Sequence, residues 1–92
     1  PVFDAAAVRQ RLERGEVDMV TFTSSSTVSN FVRLCRGGSL ASIVGRAAIA
    51  SIGPITAKTI GELGGQVTVM AQQSTIDGLI DAVVDYFNRK NY

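Results

Sequence analysis

Three short apolar runs, "MVTF" from Met19, "AIASI" from Ala48 and "VTVM" from Val67, each lead through a brief polar loop into a longer stretch with helical spacing of apolar residues. Strand, loop and helix in repeated alternation restrict the chain to a parallel sheet with right-handed crossovers, because each helix must carry the chain back to the end where the next strand begins. The runs are apolar on successive residues, as strands buried on both faces are. The expected fold class is therefore α/β, a three-layer parallel sheet with helices on both faces. The architecture repeats without any detectable repeat of sequence.

The spacing predicts where the helices lie. Asp4 is placed to cap a first helix over roughly Ala5 to Arg14, with Ala5, Val8 and Leu12 on one face and Gly15 just past its end. Val28, Phe31, Val32 and Cys35 line one face of a second helix that Gly37 and Gly38 stop. Leu40 to Val44 forms a further short helix. Pro54 suits the first turn of the next long helix, where its missing N–H would have no partner, and Ala57, Ile60 and Leu63 face inward until Gly64 and Gly65. Thr75 caps the last helix with Asp77 in its first turn; Ile76, Leu79, Ile80, Val83 and Phe87 take the buried side, and Asn88 to Tyr92 fray.

Composition narrows the function. With 92 residues, 46% of them hydrophobic and 18% charged, the chain is a single globular domain or part of one. A chain this short buries only about 60 to 65% of its unfolded surface, so its stability is expected to be marginal unless another segment or a second copy covers it. The formal net charge is +1 and the basic residues are scattered apart from Arg9, Arg11 and Arg14, which gives no stripe for nucleic acid. The single Cys35 and the absence of histidine leave no zinc cluster and no internal disulfide, in keeping with a reducing, cytoplasmic setting. Leu40 to Ile55 is the most apolar stretch but is broken by Arg46 and by Gly53-Pro54, so neither a signal peptide nor a membrane span is expected.

In a parallel sheet every strand-to-helix loop emerges at one edge, where open α/β proteins usually bind ligands. Ser24, Ser25, Ser26 and Thr27 should therefore sit near Gly53, Pro54, Ile55 and Thr56, with Ser74 and Thr75 on the next loop. Three helix N-termini with unpaired N–H groups, furnished with hydroxyls, suit a carboxylate or phosphate. Ser and Thr are equally the ordinary helix caps, so the hydroxyls alone do not distinguish a site from a set of caps. The loops carry neither G-x-x-x-x-G-K-[ST] nor G-x-G-x-x-G, which disfavours a nucleotide. A Ser-His-Asp triad is impossible without histidine. Asp77, Asp81 and Asp85 recur every four residues, as a solvated helix face does, and Cys35 reads as core, not as a nucleophile. Tyr86 and Tyr92, near the chain end, are poor candidates for catalysis.

Three motifs say more than periodicity does. "VDMVTFTSSSTVSNF", then "IASIGPITAKTIGELGG", then "STIDGLIDAVVDYF" resemble, in order and spacing, the C-terminal part of the uroporphyrinogen-III synthase family, and the resemblance covers nearly the whole chain, residues 1–92. It implies an enzyme that takes hydroxymethylbilane, inverts its last pyrrole ring and closes the macrocycle to uroporphyrinogen III with loss of water, using no metal or organic cofactor. It also implies two flavodoxin-like or Rossmann-like domains with the tetrapyrrole in the cleft between them, held by its acetates and propionates. Ser24, Ser25, Ser26 and Thr27 occupy the family's serine-loop position, and Gly53, Pro54 and Thr56 its Ile-Gly-Pro-x-Thr position, as binding groups. The family's favoured acid, a tyrosine, matches no residue here, so the general acid is unassigned.

The resemblance further implies that the chain is an incomplete part of one flavodoxin-like domain, lacking the other domain and the first strands of its own. It is then inactive alone, and its open sheet edge favours self-association or strand exchange. Some relatives are fused to a uroporphyrinogen methyltransferase, and the sequence does not say which form this segment belongs to. Two other readings stand beside the synthase: a non-enzymatic flavodoxin-like anion-binding or interaction module, and a phosphate-binding enzyme of similar architecture.

Overall fold

A computed structural model describes residues 5–90, so the Asp4 cap and Tyr92 lie outside the described residues. The elements run α1 (Ala5–Glu13), β1 (Met19–Phe22), α2 (Ser25–Leu34), α3 (Leu40–Val44), β2 (Ala48–Ser51), α4 (Pro54–Glu62), β3 (Val69–Met70) and α5 (Ile76–Lys90). The strands form one parallel sheet in the order β1-β2-β3, with Met19 opposite Ala48 and Ala50 opposite Val69.

Alternation along the strands divides the interior into two cores. On one side Phe22 and Ile49 pack with Leu12, Val28, Val32, Leu40, Ile43 and Ile60, contributed by α1 to α4. On the other Ala50 packs with Ala71 and with Leu79 of α5. The sheet therefore has helices on both faces, the three-layer α/β arrangement expected from the alternation. Within the first layer α2 lies against α4 and α1 against α3. The burial is uneven along β1, where Thr21 is exposed, so that strand is less enclosed than its apolar run predicts.

The punctuation residues act as their chemistry requires. Gly15 takes a φ of 71° and the N–H of Glu16 reaches back to the Arg11 carbonyl at 3.0 Å, closing α1 with a left-handed cap. Pro54 opens α4 at its first turn.

Two element ends, each by more than a residue, and one helix face differ from expectation. β3 is only Val69–Met70, shorter than the apolar run from Val67. At its start the Thr68 N–H donates to the Ile49 carbonyl at 2.8 Å while the Ile49 N–H reaches the Thr68 side-chain Oγ1 at 3.5 Å, and registered pairing begins with Val69 opposite Ala50. α5 continues to Lys90, so Asn88 and Arg89 are helical and not frayed, with Arg89 paired to Asp85 at 3.0 Å one turn back. Ile76 and Ile80, expected on the buried side of α5, are 55% and 53% exposed, as is Val84 at 53%. The helix packs on β2 and β3 through Leu79 and Val83, and no described element covers its other flank.

Cys35 is buried in the larger core, where desolvation pushes its thiol above its ordinary pKa, partly offset by the Arg9 guanidinium. Arg9 donates to the Cys35 carbonyl. Such a thiol stays protonated and is a poor nucleophile, in line with its reading as core. Among the described residues no helix is long and apolar enough to cross a membrane.

Candidate functional site

The start of α2 explains part of the serine run locally. Ser24, with an extended φ of −160°, is the N-cap, and its Oγ accepts from the N–H of Thr27 at 3.2 Å. Thr27 returns the contact, accepting from the Ser24 N–H at 3.3 Å and donating to the Ser24 carbonyl at 2.6 Å. This is a capping box with threonine where glutamate or glutamine usually stands. Two of the four hydroxyls are thus committed to starting the helix. Ser26 is exposed, with its Oγ 3.1 Å from that of Ser24. Ser25 points across to the neighbouring loop, donating to the Ile55 carbonyl at 3.3 Å and accepting from Thr59 Oγ1 at 2.9 Å.

The start of α4 is built differently. Its N-cap is Gly53, in extended backbone, and no side chain caps the helix. The main-chain N–H groups of the first turn, at Ile55 and Thr56, therefore lack the internal acceptor that Ser24 supplies to α2. Ser51, fully buried at the end of β2, donates to the Gly53 carbonyl at 2.7 Å and accepts its N–H at 3.4 Å, which turns the strand into the helix. Thr56 is only 4% exposed, a burial that the apolar spacing of α4 did not announce.

The third loop meets the second. A Cβ added to Gly53 would lie 2.3 Å from Ser74 Oγ, so only glycine allows this approach without displacing that side chain. Thr75 caps α5 as its position predicts, accepting from the Gly78 N–H at 2.9 Å. The fold thus brings the three strand-to-helix loops to one edge: Ser25 touches the main chain at Ile55, and Gly53 abuts Ser74. Residues 23–29, 52–57 and 71–76 contain no ionisable side chain. The local field at this edge comes from helix dipoles and oriented N–H groups, which favour an anion.

Sequence reasoning missed two residues of this arrangement, Ser51 and Thr59. The first was read only as part of an apolar strand. The second lies one turn along α4, with nothing in its own spacing to show that it reaches Ser25, 34 positions earlier. Among the described residues no group of three His, Cys, Asp or Glu side chains could hold a metal ion. An open concavity of about 950 Å³ runs between β3 and α5, lined by Gln72, Gln73, Asp81, Asp85, Tyr86 and Arg89 among others; it touches the loop edge only through the two glutamines.

A family profile described as uroporphyrinogen-III synthase HemD matches residues 2–81. The chain belongs to the uroporphyrinogen-III synthase family. A uroporphyrinogen-III synthase from Synechococcus elongatus is 43% identical over 75 residues, covering 78% of this chain and 28% of the relative. A protein from Methanothermobacter thermautotrophicus, provisionally given the same name, is 38% identical over 68 residues, covering 74% of this chain and 26% of the relative. The chain thus spans about a quarter of the length of these synthases. No solved structure is significantly similar to it.

Proposed function

We propose that this chain is part of one flavodoxin-like domain of a uroporphyrinogen-III synthase and supplies loops that hold the carboxylates of hydroxymethylbilane. In this reading the complete protein cyclises the linear tetrapyrrole with inversion of its last ring, releasing water. The observation that carries the proposal is the uncapped N-terminus of α4 facing the serine loop, with the buried Thr56 in its first turn. An acetate or propionate oxygen is the acceptor that the Ile55 and Thr56 N–H groups lack, and the hydroxyls of the exposed Ser26 and of Thr56 offer further donors to it. Gly53 and Pro54 admit the ligand to that backbone, and Ser74 and Thr75 flank it. Catalysis by such loops is positioning: they fold an acyclic substrate until its two ends meet. An acid to assist departure of the hydroxyl comes from the rest of the protein, so the chain alone is inactive.

The test uses Ser26→Ala and Thr56→Ala in the complete synthase that carries this segment. A lost hydrogen bond to a charged carboxylate is worth about 1.5 to 3 kcal/mol, so KM for hydroxymethylbilane should rise roughly tenfold or more, with unchanged spectra of the folded state. Variants that lose melting temperature while keeping KM and isomer III yield would identify these residues as caps only.

The remainder of the synthase is the natural cover for the free edge of β1 and for Ile76, Ile80 and Val84 on α5. The 92-residue chain on its own is therefore expected to self-associate. Light scattering on a size-exclusion column should show dimers or larger species at high micromolar concentration. A compact monomer across that range would refute the association.

A further inference from the structure

The hydrogen bonds between α2 and α4 single out a residue to which the motif around it assigns no role. Ser25 and Thr59 are half-buried between the two helices, and their hydroxyls lie 2.9 Å apart. A hydroxyl has one proton to donate and two lone pairs. The proton of Ser25 is directed to the Ile55 carbonyl at 3.3 Å, and one lone pair accepts from Thr59. The alternative acceptor for Thr59, the Ile55 carbonyl on its own helix, is farther at 3.5 Å, so the shorter contact across the helices is the better one. Ser25 is thereby joined to two points of α4, one in its first turn and one a turn later.

We propose that Thr59 is a positioning residue: acting through Ser25, it holds the N-termini of α2 and α4 at one separation, and Ser25 serves this bridge and not the ligand. The inference rests on the function proposed above, because the separation matters only if one anionic group, or two groups of one ligand, must be met from both helices. Such a ligand draws on Ser26 from α2 and on the Ile55 and Thr56 N–H groups from α4. The two helices also pack side by side, and the bridge adds a directional tie near their N-termini; holding donors in place before the ligand arrives removes that ordering cost from binding. To bind an anion directly, Ser25 would have to release the Ile55 carbonyl.

The experiment compares Thr59→Val, Thr59→Ser, Ser25→Ala and the Thr59→Val/Ser25→Ala double variant in the complete synthase carrying this segment. The readouts are KM and kcat with hydroxymethylbilane, and melting temperature. Losing one neutral hydrogen bond corresponds to a roughly three- to tenfold rise in KM for Thr59→Val, with Thr59→Ser within about twofold of the parent. Because both single changes break one bridge, the double variant should be no worse than the weaker of the two. A Thr59→Val enzyme with lowered melting temperature but unchanged KM overturns the proposal. So does a Ser25→Ala defect that exceeds that of Thr59→Val and adds to it, since Ser25 would then contact the ligand itself. If Ser26→Ala and Thr56→Ala raise KM while Thr59→Val does not, the bridge fails and the carboxylate-binding function stands. If none of these changes alters KM, the functional reading fails and takes the bridge with it.

Discussion

Leu40→Ala is expected to remove 2 to 5 kcal/mol, roughly the range seen when a fully buried leucine is truncated, and to leave the chain partly or wholly unfolded at 37 °C. Leu40 opens α3, has no exposed surface, and belongs to the larger core. Its N–H also donates to the Leu63 carbonyl at 2.8 Å, tying the start of α3 to the end of α4. The side chain fills the space beside Gly65 so closely that a Cβ there would lie 2.7 Å from Leu40 Cδ2. Truncation leaves a cavity beside Gly65, and the backbone bond to Leu63 resists collapse around it. Native domains hold only about 5 to 15 kcal/mol in total, and a chain this short belongs near the lower end. Urea denaturation should show a lower midpoint with an unchanged slope. A loss under about 1 kcal/mol would mean that α3 is not packed as described.

Gly78→Ala sets two effects against each other, and their sizes decide the sign. Alanine inside a helix is favoured over glycine by about 1 kcal/mol, which argues for stabilisation. At Gly78, however, the new Cβ would lie 2.3 Å from the Gln73 carbonyl oxygen and 3.1 Å from Thr75 Oγ1. The first is backbone and cannot rotate away, and that carbonyl already accepts the Thr75 N–H at 2.8 Å. The loop must shift, which costs about 1 to 3 kcal/mol as overpacking and about 1 more if Thr75 ceases to cap α5. A net destabilisation of roughly 1 to 3 kcal/mol is expected. Gly61→Ala is the control: it lies in α4 with nothing within 4 Å of the added Cβ, so the propensity gain should appear alone, as a stabilisation of about 0.5 to 1 kcal/mol. Equal stability of the Gly78→Ala chain and its parent would show that Gln73 does not pass over the helix start. Because Ser74 lies in the displaced loop against Gly53, the Gly78→Ala complete synthase should also bind substrate less well if that edge is the site.

Much of the fold was legible because local rules and the tertiary structure agree. The run Met19–Phe22 and the short helix Leu40–Val44 have the predicted limits, and Thr75 and Pro54 occupy the helix positions their chemistry favours. Disagreement arises where a residue's partner lies far along the chain. Ile76 and Ile80 carry a helical apolar pattern, but a pattern says only that a face seeks cover; three strands are too few to provide it. Thr68 reads as strand and its N–H does pair with the Ile49 carbonyl, but its side chain takes the Ile49 N–H, so the registered strand starts only at Val69.

The candidate site divides in the same way. Sequence alone determined that three strand-to-helix loops rich in hydroxyls share one edge, since parallel strands leave no other end for them, and its motifs identified the family. Only the tertiary structure decided what each hydroxyl does. Four adjacent residues, Ser24 to Thr27, look equivalent in the sequence, yet two cap their own helix, one bridges to α4, and Ser26 is left on the surface. The physical reason is that a hydroxyl's role follows from the nearest donor or acceptor in space. For Ser25 those partners are Ile55 and Thr59, 30 and 34 residues away, brought within reach only when α2 packs against α4.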